Sequence, residues 1–173
     1  GGSPGTDAAT ASPRFSDKIL SLNLTAALHV SQAANAVMQQ QDTGGSIVNI
    51  ASINGILAAK TGAAYGVSKA ALIHFTRILA LELAPKVRVN AVAPTAVRSA
   101  MTADLFRDPA YEQGKKAVIP LGRIATADDP VVVVVRWYEG CARTSVHALD
   151  GATGAERWSF GGLGGIGSGS HVA

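Results

Sequence analysis

The stretch from Gly45 to Lys69 constrains the fold of this chain more than any other. It begins with a mostly apolar run, IVNIA, that ends at Ser52, and such a run favours a strand that is buried on both faces. Gly55 and the small residues after it let the chain leave this strand, and a helix beginning near Tyr65 follows. The four-residue spacing of Tyr65 and Lys69 places both side chains on one helical face, about one turn apart.

This pair of side chains indicates acid–base chemistry. The pKa of a phenol is about 10 in water, and an ammonium group one turn away lowers it because it stabilises the phenolate. A phenol tuned in this way can exchange a proton with a substrate oxygen. Ser52 ends its strand where open parallel sheets bind ligands, so it can hydrogen-bond the same oxygen. The alternative is an ordinary exposed pair on a helix, but the serine thirteen residues upstream of Tyr65 favours catalysis.

Five motifs follow one another between about Phe15 and Pro130: NLTAALHVSQAA, GSIVNIAS, YGVSKAAL, VRVNAVAP and IPLGRIATADDP. The set resembles the classical short-chain dehydrogenase/reductases, which are oxidoreductases with a Rossmann fold. The resemblance implies an α/β fold with a partial Rossmann-type doubly wound parallel sheet. It also implies NAD(P)-dependent interconversion of an alcohol and a ketone, with NAD or NADP as cofactor and a small carbonyl or alcohol molecule as substrate.

The resemblance implies roles for individual residues. Tyr65 would be the catalytic acid/base, and Ser52 would orient the carbonyl. Lys69 would lower the tyrosine pKa and bind the nicotinamide ribose, while Asn23 would hold a water in a proton relay. The alternative for Asn23 is a helix-surface residue without a role. The cofactor-binding residues implied by the same motifs are Tyr65, Lys69, Pro94, Val97 and Ser99.

The hydrophobic pattern predicts helices near Asp17–Gln40 and Tyr65–Leu83 and strands near Ile47–Ala51 and Val87–Ala93. Strand, helix and strand then form one right-handed parallel crossover. The second helix is apolar over much of its surface, which indicates burial on two sides. The resemblance implies that the two long helices pair with a second subunit in a homo-oligomer, and burial within one domain is the alternative. Ala100 to Ala117 resembles the family's mobile substrate lid.

The remaining segments depart from the family. We predict a flexible lead-in over residues 1–14, a partial dehydrogenase domain over 15–130 and a glycine-rich tail over 161–173. Residues 131–160 resemble one blade of a quinoprotein-type β-propeller, with a β-hairpin near Val146 and Trp158. The family's first strand, glycine-rich turn and helix, which hold the cofactor pyrophosphate, have no counterpart in this sequence. An alternative function is therefore a non-catalytic fragment that keeps the dimerising helices and binds no cofactor alone.

Composition argues against several other functions. The net charge is only +3 and the basic residues are scattered, so we expect neither a nucleic-acid partner nor a membrane surface. The four histidines are far apart and Cys141 is the single cysteine, so we expect no metal site and no disulfide framework. The sequence has no recognisable signal peptide and no apolar run long enough to span a bilayer. A cytoplasmic location is the prediction.

Overall fold

The computed structural model describes residues 2–119, 121–126 and 129 with their side chains. It also describes the backbone of three later strands, over 132–137, 144–149 and 156–161. Among the residues described, no helix combines the length and the apolar character that crossing a bilayer requires.

The first long helix runs through two α-helical parts and a π-helical turn. Helix α1, Pro13–Leu20, begins where Ser12 Oγ accepts a hydrogen bond from Phe15 N at 3.2 Å, a serine cap followed by the favoured proline. The π turn Ser21–Thr25 follows, and helix α2, Ala26–Met38, continues in the same direction. The predicted helix is confirmed, with its start at Pro13 instead of Asp17. The π turn contains Asn23, and such turns often occur at functional sites.

A parallel strand–helix–strand unit forms the centre of the fold, as predicted. Strand β1, Gly45–Ile50, pairs in parallel with strand β2, Val87–Val92, and helix α3, Ala63–Glu82, connects them. The buried core between helix and sheet consists of Ile47, Leu79, Val87 and Val89. The apolar side chains that the periodicity selected therefore hold α3 against the sheet.

A smaller region follows β2. It contains strand β3, Val97–Arg98, a 3₁₀ turn at Leu105–Arg107, helix α4, Pro109–Val118, and strand β4, Ala125–Thr126. Strands β3 and β4 pair in parallel. Asp108 Oδ1 accepts a hydrogen bond from Ala110 N at 2.9 Å and so caps α4.

The central sheet is mixed, which differs from a purely parallel sheet. Strands β5, Val132–Trp137, β6, Thr144–Leu149, and β7, Glu156–Gly161, continue it antiparallel in the order β1-β2-β5-β6-β7. The valine-rich β5 pairs with the edge of β2, and this pairing satisfies part of the backbone hydrogen-bonding groups of β5. Strands β6 and β7 confirm the predicted hairpin, although the residues of its turn lie outside those described. The resemblance to a propeller blade stays a prediction.

Residues 2–12, predicted as a flexible lead-in, make defined contacts in the structure. Thr6 forms a parallel bridge with Gly62, and its backbone N–H donates to Thr61 O at 3.0 Å. Asp7 closes the turn that follows, because its Oδ1 accepts from Ala9 N at 2.7 Å. The lead-in therefore lies against the N-terminal end of α3. Its composition of small and polar residues did not indicate this, because the contact depends on a helix end far along the chain.

Candidate active site

The carboxyl ends of β1 and β2 lie side by side and bring Ser52 next to Pro94. Ala51 N donates to Val92 O at 2.7 Å, and Ile53 N donates to Pro94 O at 3.0 Å. Ser52 lies between these two hydrogen bonds and is buried. This is the edge of a parallel sheet at which open α/β folds bind their ligands.

The Ser52 hydroxyl has a defined hydrogen bond. Its Oγ accepts from Asn54 N at 3.2 Å and caps the short 3₁₀ turn Ile53–Gly55. A hydroxyl that accepts one bond keeps its own hydrogen for donation. Ser52 can therefore still donate to an oxygen of a bound molecule.

Two glycines allow the loop after Ser52 to contact α3 closely. A Cβ added at Gly55 would lie 2.7 Å from the carbonyl carbon of Lys69, and one added at Gly66 would lie 3.1 Å from Asn54 O. A larger residue at Gly55 would displace the loop, so the absence of a side chain sets its position. The loop lies against the helical turn that begins at Tyr65 and ends at Lys69. Sequence reasoning interpreted Gly55 only as the end of the strand, because spacing does not indicate which loop touches which helix.

Lys69 is buried beside Tyr65. Lys69 is only 5% exposed, and its Nζ donates a hydrogen bond to Ile50 O at 2.8 Å. Nζ lies 5.7 Å from the centroid of the Tyr65 ring, within cation–π range. Burial lowers the pKa of Lys69, because removing water disfavours its charged form. The predicted placement of Tyr65 and Lys69 on one helical face is therefore present.

Asn23 is buried and incompletely hydrogen-bonded. Asn23 is 3% exposed. Its Nδ2 donates to Ile19 O at 3.0 Å and to Gly2 O at 3.1 Å. Within the described part of the chain, no donor reaches its Oδ1. Burial rules out the interpretation of Asn23 as a helix-surface residue. An unpaired buried acceptor is unfavourable unless a water or a ligand completes it.

A groove between the first long helix and β1 joins Asn23 to Lys69. Its volume is about 340 Å³, and both residues line it together with Ser31 and Leu72. A groove of this size has room for several waters. The structure therefore places the predicted relay residue and the predicted lysine on one cavity, although they are 46 positions apart in the sequence.

The other predicted cofactor residues lie on and beside β3. Val97 is half-buried and Ser99 is exposed. Thr102 connects them, because its hydroxyl donates to Val97 O at 2.6 Å and accepts from Ser99 N at 2.9 Å. Sequence reasoning missed Thr102, and the only signal for it was a second hydroxyl residue three positions after Ser99.

Comparisons with known proteins agree with this architecture. The family model described as Enoyl-(Acyl carrier protein) reductase matches residues 2–136. A 3alpha-hydroxysteroid dehydrogenase from Mediterraneibacter gnavus is 41% identical over 118 residues, which are 68% of this chain and 46% of that protein.

Solved structures give the same result. One is a proposed NAD(P)-dependent gluconate 5-dehydrogenase from Beutenbergia cavernae with bound NADP at low occupancy. It is 37% identical with a TM-score of 0.68, over 73% of this chain and 51% of that one. An NAD+-bound xylitol dehydrogenase is 29% identical with a TM-score of 0.66, over 73% of this chain and 55% of that one. The chain spans about half the length of the relatives it matches. Its sequence motifs, its strand–helix–strand unit and these matches agree, and the chain belongs to the short-chain dehydrogenase/reductase family.

Proposed function

We propose that the chain carries the proton-transfer half of an NAD(P)-dependent oxidoreductase that interconverts an alcohol and a ketone. The observation that supports this most directly is the buried Lys69 ammonium, 5.7 Å from the Tyr65 ring on the same helical face. The loop after Ser52 lies against that same helical turn. The proposed reaction requires the side chains of Ser52, Tyr65 and Lys69.

Each residue has a defined task in the reduction of a ketone. Ser52 donates its hydroxyl hydrogen to the substrate oxygen and orients it. Tyr65 then gives its proton to that oxygen, and the positive charge of Lys69 stabilises the phenolate that remains. NAD or NADP, when bound, would supply or accept the hydride. In alcohol oxidation the proton moves in the opposite direction.

Asn23 completes the path by which Tyr65 regains its proton. Its unpaired Oδ1 is an acceptor for a water in the groove that Lys69 also lines. Such a water can hydrogen-bond the asparagine and connect the lysine to solvent. This supports the relay role that the family resemblance implies for Asn23.

The residues present fit the nicotinamide half of NAD or NADP. A lysine ammonium has three donors, and Lys69 uses one of them for Ile50 O, so donors remain for ribose hydroxyls. The exposed Ser99 hydroxyl suits a carboxamide, and Pro94 and Val97 lie on the backbone leading to it. The sequence holds no glycine-rich turn for the pyrophosphate, so the other half of the cofactor lacks its usual partners here.

A second function, pairing of two subunits, is favoured by apolar side chains on the surface of the long helices. Val30 and Val37 on α2 and Val67 and Leu81 on α3 are between 60% and 69% exposed. Exposed apolar surface of this kind is typical of protein–protein contacts. We therefore include a homo-oligomer through the two long helices in the proposal.

Calorimetric titration with NADH and NADPH tests the cofactor part of the proposal. A charge-assisted hydrogen bond contributes about 1.5–3 kcal/mol, and about 1.4 kcal/mol changes affinity tenfold. Without several of the pyrophosphate contacts, we expect no measurable binding to this chain alone. Joining it to the N-terminal half of a family relative should restore both binding and turnover. Micromolar affinity for the unjoined chain would contradict the interpretation of an incomplete cofactor site.

The joined protein also tests the catalytic roles. Tyr65→Phe should remove ketone reduction, because the phenol hydroxyl that gives its proton to the substrate oxygen is lost. Lys69→Met should also remove turnover, while Lys18→Met, a matched change at an exposed position of α1, should not. Activity in the Tyr65→Phe protein close to that of the parent would overturn the proposed function.

A further inference from the structure

Arg98 connects the cofactor side of the site to the segment that follows it. It lies on β3 between Val97 and Ser99, two residues implied in cofactor binding. Its Nη2 lies 2.9 Å from Glu112 Oε2 on α4. Its guanidinium carbon also lies 4.8 Å from the centroid of the Phe106 ring. Arg98 thus contacts both the 3₁₀ turn that holds Phe106 and helix α4.

Among the residues that the structure describes, the segment that Arg98 contacts has few buried side chains. We call residues 105–118 the cover segment. Phe106 is its only buried side chain, and every residue of the segment is among those described. Phe106 packs edge-on against Tyr111, with ring centroids 5.6 Å apart. Few buried apolar contacts mean a low free energy of local opening, so individual polar contacts count for more here than in the core.

Arg98 is suited to hold this segment because its guanidinium does two things at once. A planar guanidinium can lie over an aromatic ring and still hydrogen-bond a carboxylate at its edge, which a lysine ammonium does poorly. Lys116 approaches the other oxygen of Glu112, with Nζ 2.7 Å from Oε1. The lysine is one turn along the same helix, so it orients the carboxylate toward Arg98.

We propose that Arg98 is a positioning residue that holds the cover segment against β3. It does so through Glu112 and Phe106, and it makes the cover segment and the cofactor-binding strand move as one unit. The proposal rests on the proposed function, since Arg98 lies on β3 between Val97 and Ser99, two residues implied in cofactor binding. The guanidinium contacts Glu112 and Phe106, so the role assigned to it is positioning and not catalysis.

Hydrogen exchange of the full chain tests the positioning role without any activity measurement. In Arg98→Gln, the amides of residues 105–118 should exchange about tenfold faster, from the combined loss of the cation–π contact and the ion pair, while those of α3 keep their rates. Arg98→Lys should show an intermediate rate, because it keeps the charge and loses the planar contact.

The matched control is Arg107→Gln in the same segment. Arg107 pairs with Asp104 at 3.2 Å, and both side chains are more than 80% exposed, so its removal should leave exchange unchanged. Equal exchange in Arg98→Gln and the parent chain would overturn the proposal. So would an equal acceleration in the Arg107→Gln control.

The joined, active protein separates positioning from a merely structural role. Arg98→Gln should raise the KM for the cofactor by more than it lowers kcat, because β3 loses its contact with the cover segment while proton transfer by Tyr65 is untouched. A loss confined to kcat would overturn the positioning role. Since the exchange experiment needs no turnover, failure of the proposed function through Tyr65→Phe is distinguishable from failure of this inference.

Discussion

Replacing Thr76 with valine should destabilise the protein far more than its small change in shape suggests. Thr76 is 1% exposed in the middle of α3, and Asn49 on β1 is 6% exposed. Asn49 Nδ2 donates to Thr76 Oγ1 at 3.0 Å, and that hydroxyl donates to Leu72 O at 2.8 Å. The pair joins β1 to α3 directly beside Ile50, whose carbonyl holds Lys69.

The magnitude follows from what valine leaves behind. Valine has nearly the volume of threonine and keeps the packing, but it removes the acceptor of a buried amide. A buried donor left without a partner costs about 1–3 kcal/mol. Since about 1.4 kcal/mol is tenfold in an equilibrium constant, the folding equilibrium should weaken by roughly tenfold to a hundredfold.

Urea denaturation followed by circular dichroism measures this loss. The matched control is Thr25→Val, a change of the same residue types at an exposed helical position, and it should alter the free energy of unfolding by less than about 0.5 kcal/mol. Equal effects of the two changes would refute the reasoning, because burial and the Asn49 hydrogen bond are what distinguish the two sites.

Three further predictions concern Gly55, Asp129 and Lys69. Gly55→Ala should lower the melting temperature, because its Cβ would lie 2.7 Å from the Lys69 carbonyl carbon, whereas Gly114→Ala has open space and should raise it. The hydrogen bond from Arg123 lowers the pKa of Asp129, so the stability that Asp129 contributes is present above about pH 4 and is lost as the pH falls. The difference in unfolding free energy between Asp129→Asn and the parent should be constant from pH 6 to about pH 4 and should narrow steadily as the pH is lowered further toward 2. A difference that stays constant over the whole range would contradict this. Burial lowers the pKa of Lys69, so the unfolded chain binds its proton more tightly and stability should rise toward the ordinary lysine pKa of about 10.4. Lys69→Met should remove that alkaline rise in unfolding experiments, and an identical pH profile would show that the buried charge carries no such penalty.

The sequence by itself determined the local elements of this protein. The apolar run before Ser52 and the pattern after Tyr65 predicted β1 and α3, because burial periodicity is a property of consecutive residues. The sequence also predicted that Tyr65 and Lys69 share one helical face, since helix geometry alone places residues four apart on the same face.

Only the tertiary structure decided how these elements meet. The Lys69 ammonium donates a hydrogen bond to the Ile50 carbonyl, and Asn23 lines the groove that Lys69 also lines. Neither contact follows from the spacing of these residues in the sequence. Gly55 controls the distance between a loop and a helix, and Arg98 reaches a helix that begins eleven residues later. These contacts join residues whose separation along the chain carries no geometric information. They form because helices, strands and loops pack closely against one another. The side chains of both packed elements set the distance between them.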